Sequence, residues 1–284
     1  MKVGTNPATE LKVESEKQNR PFSDVLHQYV EENLLKRIYE SKYKEDIWIK
    51  DDLPWNTECE KIHLFYRNRT NDLLDVSGAQ LIMQSLFANK DEVQWQYKVR
   101  GDEEFTVALV AEYKGMEVPV TIIMEELCDS TAVADKCSFR PMLRHVVQIT
   151  CLVYSPQTVV VDSIYEIIEK LELIGDMEPY AVINQTLKTS SVSGRHIIEG
   201  LSEKTANYPK VLKEKRISQI ESYRNYTYMK KRWDKYCKIH TDSQDNWDEV
   251  VDRIVRFLAP IWQALCRNEI FFDDWMPELG RYLG

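Results

Sequence analysis

The spacing of apolar residues changes near Ser155, and this change predicts two parts with different architectures. Before it, residues 105–113, 118–124 and 149–154 form short, β-prone apolar runs. After Pro156 the apolar residues recur at steps of three and four, which is the period of a helix with one buried face. The clearest such pattern comprises Trp247, Val250, Val251, Ile254, Phe257, Leu258 and Ile261. A chain of 284 residues is long enough for one large core or two smaller ones.

The first part is predicted to combine strands with helices. Residues 23–38 carry a helical apolar stripe, and residues 47–50 favour a strand that ends in a turn. The first two apolar runs flank Lys114 and Gly115, which predicts a β-hairpin. The run at 149–154 then adds a further strand to the same sheet.

We therefore predict an α/β (α+β) fold with two domains. A mixed β-sheet domain is expected over residues 22–155, and a mainly helical C-terminal domain over residues 156–284. Residues 1–21 are polar and show no apolar period, so we predict a mobile tail there.

The composition favours a soluble protein of the cytoplasm. The formal net charge of -9 promotes solubility. The longest apolar runs are far shorter than the roughly 20 residues that a membrane-spanning helix needs, and the N-terminus is polar and charged. The six cysteines never approach C-x-x-C spacing, so we expect free thiols and neither a zinc knuckle nor a redox motif. Membrane anchoring and export are not expected.

Residues 210–238 are an exception to the acidic composition. They contain ten Lys or Arg residues against three Asp or Glu, a local charge of +7 within a total of -9. Five aromatic residues are interleaved with these cations: Tyr223, Tyr226, Tyr228, Trp233 and Tyr236. Cations beside rings are what a surface for RNA or a single strand requires, and the candidates are Lys230, Lys231, Arg232 and Lys235. The same residues are also consistent with a solvent-exposed helix whose aromatic side chains are buried.

Three stretches share motifs with one family. LHQYVEENLLKRIYESKYKEDIWIK ends in Lys50, RTNDLLDVSG contains Arg69 and Asp75, and YMKKRWDKYCK, followed by the Phe-Leu-x-Pro of residues 257–260, contains Trp233. They resemble the opening helix and strand, the Arg-x-Thr-x-Asp-Leu-Asp motif and the closing helices of the AbiEii-type nucleotidyltransferases, which are bacterial abortive-infection toxins. The resemblance covers most of the chain and implies that the sheet domain is nucleotidyltransferase-like.

The resemblance also implies a chemistry. In an active member, carboxylates hold Mg²⁺ beside the phosphates of a nucleoside triphosphate. The resemblance implies that Asp72, which lies beside the first motif position, and Asp75 bind metal and act in catalysis. Glu125, which follows the third position, is the candidate third carboxylate for catalysis, and Lys50 and Arg69 are the candidates for phosphate binding. Lys170 takes the place of the family's phosphate-binding lysine when an insertion is allowed, whereas a gap-free match puts Ser163 there.

This chain departs from the family pattern at its carboxylates. In the same alignment, Leu73 stands where the first Asp belongs and Met124 where the third carboxylate belongs. On a strand, Asp72 and Asp75 would point to opposite faces, and an Asp pair after a strand is also typical of a turn or a helix cap.

Two functions are therefore predicted. The first is a relative with impaired or lost catalysis that acts by binding a partner and needs no cofactor. The alternative is an active metal-dependent transferase that moves a nucleoside monophosphate from a triphosphate to a hydroxyl of tRNA or protein. For either function, the resemblance implies a cognate antitoxin or another protein, and tRNA, as partners.

Overall fold

The computed structural model describes most of the chain and divides it into two compact units. The described residues are 7–50, 61–69, 74–89, 91–101, 104–127, 130–143, 148–206, 208–240 and 245–283. The first unit, here called the sheet unit, comprises Met1–Ser130 and Ala134–Tyr154. The second, the helical unit, comprises Thr131–Val133 and Ser155–Gly284. The division falls where the apolar spacing of the sequence changes.

Among the described residues, the sheet unit contains one mixed sheet of seven strands. They are β1 (Ile47–Ile49), β2 (Ile62–Tyr66), β3 (Val93–Arg100), β4 (Glu104–Tyr113), β5 (Met116–Glu126), β6 (Ala134–Phe139) and β7 (Ile149–Tyr154). Their order across the sheet is β3-β4-β5-β2-β1-β7-β6. β2 pairs parallel with β5, and β1 parallel with β7. The remaining neighbours are antiparallel.

Three helices share a core with one face of this sheet: α1 (Pro7–Gln18), α2 (Phe22–Glu40) and α3 (Val76–Leu86). The apolar stripe predicted for residues 23–38 is the buried side of α2, where Val30 and Leu34 are fully buried. Ile49, Leu64 and Met124 supply the sheet side of the same core. Because side chains alternate along a strand, the residues next to these three in each strand project from the opposite face of the sheet, here called the second face.

The N-terminal residues differ from the expected tail. Residues 7–18 form α1, and its Leu11 is completely buried in the core of the sheet unit. Leu11 is buried whereas Val13 of the same helix is exposed, so the sequence shows no repeated apolar face there. Its packing against α2 comes from tertiary contact that local patterns do not reveal.

The predicted hairpin is confirmed. β4 and β5 pair from Glu104 opposite Glu125 to Tyr113 opposite Met116. The two residues between them, Lys114 and Gly115, have φ angles of 48° and 79°. Two consecutive positive φ values match a two-residue type I′ turn, whose twist suits the flanking strands.

The helical unit is built around its longest helix. Its helices are α4 (Pro156–Lys170), α5 (Glu178–Thr189), α6 (Gly194–Ala206), α7 (Lys215–Ser222), α8 (Thr227–Ile239) and α9 (Trp247–Arg267). A small antiparallel sheet, in the order β10-β9-β8, joins β8 (Val192–Ser193), β9 (Asp274–Met276) and β10 (Arg281–Leu283). The seven apolar residues that predicted a helix at 247–261 are all buried on α9.

Indole N–H groups fix this core in position. Trp247, Trp262 and Trp275 are each at most 1% exposed, and each donates a hydrogen bond of 2.8–3.0 Å to a backbone carbonyl of another segment. A buried indole contributes a large apolar area but needs a partner for its one donor. These bonds therefore set the register of the segments that pack on α9.

The predicted fold class is confirmed: an α/β part with a mixed sheet is followed by a mainly helical C-terminal part. No helix within the described ranges is long and apolar enough to cross a membrane.

Two adjacent glutamates are buried on α2. Glu31 is 5% exposed and Glu32 6%. The carboxylate of Glu32 accepts hydrogen bonds from the backbone N–H of Met142 at 2.8 Å and from the side-chain amide of Gln28 at 2.9 Å. Burial raises the pKa of Glu31 to about 7, and the neighbouring charge of Glu32 adds to the rise. Burial in the folded protein therefore disfavours the charged form of the Glu31 carboxyl.

Replacing Glu31 with Gln should stabilise the protein in a pH-dependent way. The folded state holds a proton on Glu31 that the unfolded chain releases between its ordinary pKa of 4.5 and about 7, so this residue reduces stability as pH rises through that window. We expect Glu31→Gln to raise the free energy of unfolding by about 1–3 kcal/mol at pH 8 and by little at pH 4. Urea denaturation measures it, with Glu40→Gln, an exposed residue of α2, as control. A gain that is equal at both pH values would contradict the prediction.

Candidate functional site

Of the sequence-predicted catalytic residues, Glu125 lies at the end of β5, and a hydrogen bond between Glu126 and Leu74 brings the neighbouring Asp75 towards the same edge of the sheet. Because β2 and β5 are parallel, their carboxyl ends meet at one edge of the sheet, with Phe65 opposite Glu125 and Tyr66 opposite Glu126. The chain after β2 continues through Arg69 to α3. Loops beyond the carboxyl ends of parallel strands are where α/β proteins usually place ligand-binding groups.

The two glutamates at the end of β5 point to opposite faces of the sheet. Glu126 lies on the face covered by helices, in line with the buried Met124. Its carboxylate accepts a hydrogen bond of 2.8 Å from the backbone N–H of Leu74, two residues before α3 begins. Glu125 lies on the second face, beside Phe65. The two carboxylates therefore lie on opposite faces of the sheet although the residues are adjacent in sequence.

Asp75 is the N-cap of α3. Its Oδ1 accepts a hydrogen bond of 2.7 Å from the backbone N–H of Gly78, while its own carbonyl accepts the first bond of the helix, from Ala79 at 2.9 Å. β2 ends at Tyr66, so Asp75 lies on no strand. Asp75 is thus the helix cap that the sequence offered as an alternative to a metal ligand. Asp72, which was predicted to share a metal with Asp75, lies outside the residues that the structure describes.

Arg69, predicted to bind phosphate, forms an ion pair. Its Nε lies 2.5 Å from Oδ1 of Asp46, the residue before β1. The Arg69 side chain is two-thirds exposed, whereas Asp46 is mostly buried. Burial, followed by the charge of Asp46, raises the pKa of the nearby Tyr66 hydroxyl. Asp46 was missing from the sequence-based candidates, because only the pairing of β1 with β2 brings it beside the end of β2.

Lys50 and Glu125 lie on the second face of the sheet, among aromatic rings. Lys50 Nζ is 5.6 Å from the centre of the Phe65 ring, and Phe65 is the strand neighbour of Glu125. Trp48 stands opposite Phe65 on β1, and Tyr154 packs against the Phe65 ring at 4.6 Å. We call Trp48, Phe65 and Tyr154 the aromatic group. The structure thus brings Lys50 and Glu125 to one face and places the Asp75 cap at the start of α3.

The described residues include no group of three or more His, Cys, Asp or Glu side chains that could hold a metal ion. Of the two predicted metal ligands, only Asp75 falls within those residues, and one of its oxygens is bonded to the backbone of α3. The described donor set therefore does not by itself provide the carboxylate pair that Mg²⁺ would need for phosphoryl transfer.

Lys170 belongs to the helical unit, at the end of α4. It forms an ion pair of 2.8 Å with Glu166, one helical turn away, and this hydrogen bond raises its pKa. Asp162, which stands at the glutamate of the family's Glu-Lys pair in the gap-free match, is bound by Lys204 at 2.7 Å. In either alignment, the residue matched to the family's Glu-Lys pair, Lys170 or Asp162, forms an ion pair within the helical unit.

The basic segment of the sequence forms α8, which has a buried side and a charged side. Met229 and Trp233 are buried, and the Trp233 indole donates to the carbonyl of Asp245 at 2.9 Å. Lys230, Lys231 and Lys235 are exposed. Arg232, the fourth candidate for nucleic-acid binding, instead donates to the carbonyls of Ile174 at 2.6 Å and Gly175 at 3.0 Å.

Four exposed residues of α8 follow one line along the helix. Tyr228, Lys231, Lys235 and Lys238 are spaced three, four and three residues apart, which places them on one side. The Tyr228 ring is 52% exposed and lies 5.9 Å from the ring of Tyr226, which is 44% exposed. We call these four residues the tyrosine–lysine stripe. The aromatic residues of this segment are thus divided between core and surface.

Solved structures similar to this chain include two from Helicobacter pylori. No protein-family model matches the chain, and no curated protein matches it. The crystal structure of JHP933 from Helicobacter pylori has a TM-score of 0.41 and 7% identity, over 86% of this chain and 92% of that one. The crystal structure of a "putative nucleotidyltransferase" from H. pylori has a TM-score of 0.37 and 8% identity, over 86% of this chain and 95% of that one. The AbiEii-type resemblance stays a prediction from sequence motifs.

Two substitutions at Asp75 should separate its cap from its charge. Asn retains an N-cap oxygen, whereas Ala does not. We expect Asp75→Ala to lower the free energy of unfolding by about 0.5–2 kcal/mol, and Asp75→Asn to change it by only a few tenths. Urea denaturation followed by circular dichroism measures both. An equal loss in the two variants would show that the cap bond is not what Asp75 contributes.

Proposed function

We propose that this protein is a nucleotidyltransferase-like chain of the AbiEii type that acts by binding, with catalysis impaired or lost, and that its ligand is a single-stranded nucleic acid, in particular RNA. One observation carries the proposal. The tyrosine–lysine stripe exposes three lysines and a tyrosine ring on one side of α8, while Trp233 and Met229 hold the other side in the core.

The stripe offers the two kinds of interaction that a single strand needs. Lysine ammonium groups neutralise phosphates in a way that does not depend on sequence. Exposed tyrosine rings stack on bases, each of which has a face available once the strand is unpaired. Tyr226 lies beside Tyr228, so two rings stand at the start of α8 and the lysines extend from them along the helix.

The charge of the whole chain confines this binding to one surface. Residues 210–238 carry a local charge of +7, while the complete chain carries -9. The remainder of the protein therefore repels polyphosphates, and long-range attraction steers them to the basic segment. A binding site of this kind loses affinity steeply as salt rises.

The state of the predicted catalytic residues supports the loss of transfer activity. Asp75 caps α3, Arg69 is paired with Asp46, and Lys170 with Glu166. In the sequence match, Leu73 and Met124 replace two carboxylates of the family motifs. Transfer from a triphosphate depends on metal-held carboxylates, since little else offsets the charge that develops on the phosphate.

The sequence resemblance suggests the biological setting. By analogy with abortive-infection toxins, the nucleic acid would be a tRNA, the protein partner a cognate antitoxin and the compartment the cytoplasm. These identities follow from the sequence motifs that resemble the family.

Fluorescence anisotropy with a labelled single-stranded RNA of about 12 nucleotides tests the proposal. We expect Lys235→Glu to weaken binding about tenfold and to make the dependence of affinity on salt shallower by about 0.7 for each phosphate that is no longer neutralised. Tyr228→Ala should weaken binding by about tenfold because a stacking ring is removed, with little change in the salt dependence. Arg232 is unsuitable for this test, because its guanidinium holds the backbone at Ile174 and Gly175.

Lys230→Glu provides the matched control. It makes the same charge change at an exposed position of the same helix but off the stripe, so it should weaken binding much less than Lys235→Glu. Circular dichroism verifies that all three variants fold. Equal effects of the two lysine substitutions, or no binding by the unaltered protein, would refute the role of the stripe.

A second candidate function is the active transferase, and the placement of Lys50 and Glu125 favours it. A cation and a carboxylate stand on one face of the sheet on either side of Phe65, beside rings on which a base could stack. Asp72 and Asp75 would hold Mg²⁺, Glu125 would serve as the third carboxylate in catalysis, and Lys50 or Arg69 would bind phosphate. The acceptor would be a hydroxyl of tRNA or protein.

Calorimetric titration with each nucleoside triphosphate, with and without Mg²⁺, decides between the two functions. For a protein that acts by binding RNA, we expect no magnesium-dependent heat with any of the four. Micromolar, magnesium-dependent binding that is abolished in both Asp75→Asn and Glu125→Gln would instead establish the transferase site. Asp75→Asn is preferred to Ala here, because it removes the charge and keeps the cap of α3.

A further inference from the structure

Two cysteines stand directly opposite each other on neighbouring strands of the sheet unit. β6 and β7 pair antiparallel from Ala134 opposite Tyr154 to Phe139 opposite Ile149, and this register puts Cys137 opposite Cys151. Directly opposed residues of an antiparallel pair project from the same face of the sheet. Both thiols are free.

The geometry of this pair suits a disulfide. Opposed residues of antiparallel strands have Cα atoms about 4.5–5.5 Å apart, and disulfides span Cα separations of about 4.4–6.8 Å. The next residue pair shows that the strands are close here, since the hydroxyls of Ser138 and Thr150 are 2.7 Å apart. A bond between Cys137 and Cys151 therefore needs little movement of the backbone.

The two thiols differ in their surroundings. Cys137 is partly exposed, whereas Cys151 is 3% exposed and its Sγ lies 3.9 Å from the carbonyl oxygen of Leu35 on α2. Burial raises the pKa of the Cys151 thiol to about 12, and the neighbouring Cys137 adds to the rise. The exposed thiol is thus the one that a reagent in solution meets first.

We infer that Cys137 and Cys151 form a redox modification site, which a low-molecular-weight disulfide such as glutathione disulfide converts to an intrachain disulfide. The Cys137 thiolate attacks one sulfur of glutathione disulfide, forming a mixed disulfide and releasing one glutathione thiolate. Cys151 then attacks the Cys137 sulfur, forming the Cys137–Cys151 bond and releasing the second. The two protons of the protein thiols pass to the two glutathione thiolates, so two protein thiols are oxidised and one disulfide is reduced.

Oxidation would act on the edge of the sheet. β6 is the last strand in the sheet order and pairs with β7. A covalent link between the two strands closes the chain from residue 137 to 151 and restricts the unfolded state of that segment. The edge strand would then separate from β7 less readily. This site lies in the sheet unit and does not depend on the proposed RNA binding.

Peptide mapping of the full chain tests the inference. The protein is incubated with glutathione disulfide, its remaining thiols are alkylated, and it is digested with trypsin without reduction. Cleavage after Lys136 and Arg144 leaves the two cysteines on separate peptides, so a disulfide appears as one linked species in mass spectrometry. We expect this species in the unaltered protein and its loss after treatment with dithiothreitol.

Three variants make the result specific. Cys137→Ser should abolish the linked species. Cys151→Ala, which avoids placing a hydroxyl in the core, should leave a glutathione adduct on Cys137, because the second thiol is missing. Cys237→Ser removes a free cysteine of the helical unit and should leave the Cys137–Cys151 species unchanged.

The inference is overturned if Cys137 stays unmodified, or if Cys137 and Cys151 carry separate glutathione adducts without a linked peptide. A linked species that persists in Cys151→Ala, with another cysteine as partner, would overturn it as well. Circular dichroism of each variant shows that the mapped protein is folded.

Discussion

The parallel pairing of β2 with β5 decides which candidate side chains of the sheet unit can meet. It puts Phe65 beside Glu125 and Tyr66 beside Glu126, and the alternation of side chains along a strand sends these two pairs to opposite faces. Glu126 thereby reaches the backbone at the start of α3, while Glu125 joins Lys50 and the aromatic group. A shift of β5 by one residue in this register would exchange the faces of the two glutamates and turn Met124 out of the core.

In the helical unit, a cluster around Asp245 has the corresponding role for α8. Its carboxylate accepts hydrogen bonds from Asn184 at 2.8 Å, Lys188 at 3.0 Å and Arg253 at 3.1 Å. Partial burial opposes its charge, but these donors prevail and hold the pKa of Asp245 below its usual range. The backbone carbonyl of the same residue accepts the Trp233 indole bond. Since Trp233 thus fixes the rotation of α8 about its axis, the tyrosine–lysine stripe must face away from the core.

Local sequence patterns predicted the elements whose signals are repeated or chemically distinctive. The buried face of α9 repeats over five turns, and Lys114-Gly115 is a turn that strands on both sides reinforce. The family motif predicted aspartates on a strand, whereas β2 ends at Tyr66 and Asp75 caps α3. The juxtaposition of Glu125 with Phe65 and that of Cys137 with Cys151 exist only through the pairing of β5 with β2 and of β6 with β7, which local patterns do not reveal.

The electrostatics at the start of α3 bear directly on the choice between binding and transfer. The first N–H groups of a helix and its dipole place partial positive charge there, which stabilises carboxylates and disfavours a divalent cation. The Asp75 carboxylate already satisfies such a donor at Gly78, and the Glu126 carboxylate is bonded to the backbone N–H of Leu74, two residues before the helix. A magnesium ion held by Asp75 would have to share a carboxylate that the helix uses, against the field of that helix. Asp75, which resembles a metal ligand in sequence, is therefore better suited to capping α3 than to holding a divalent cation.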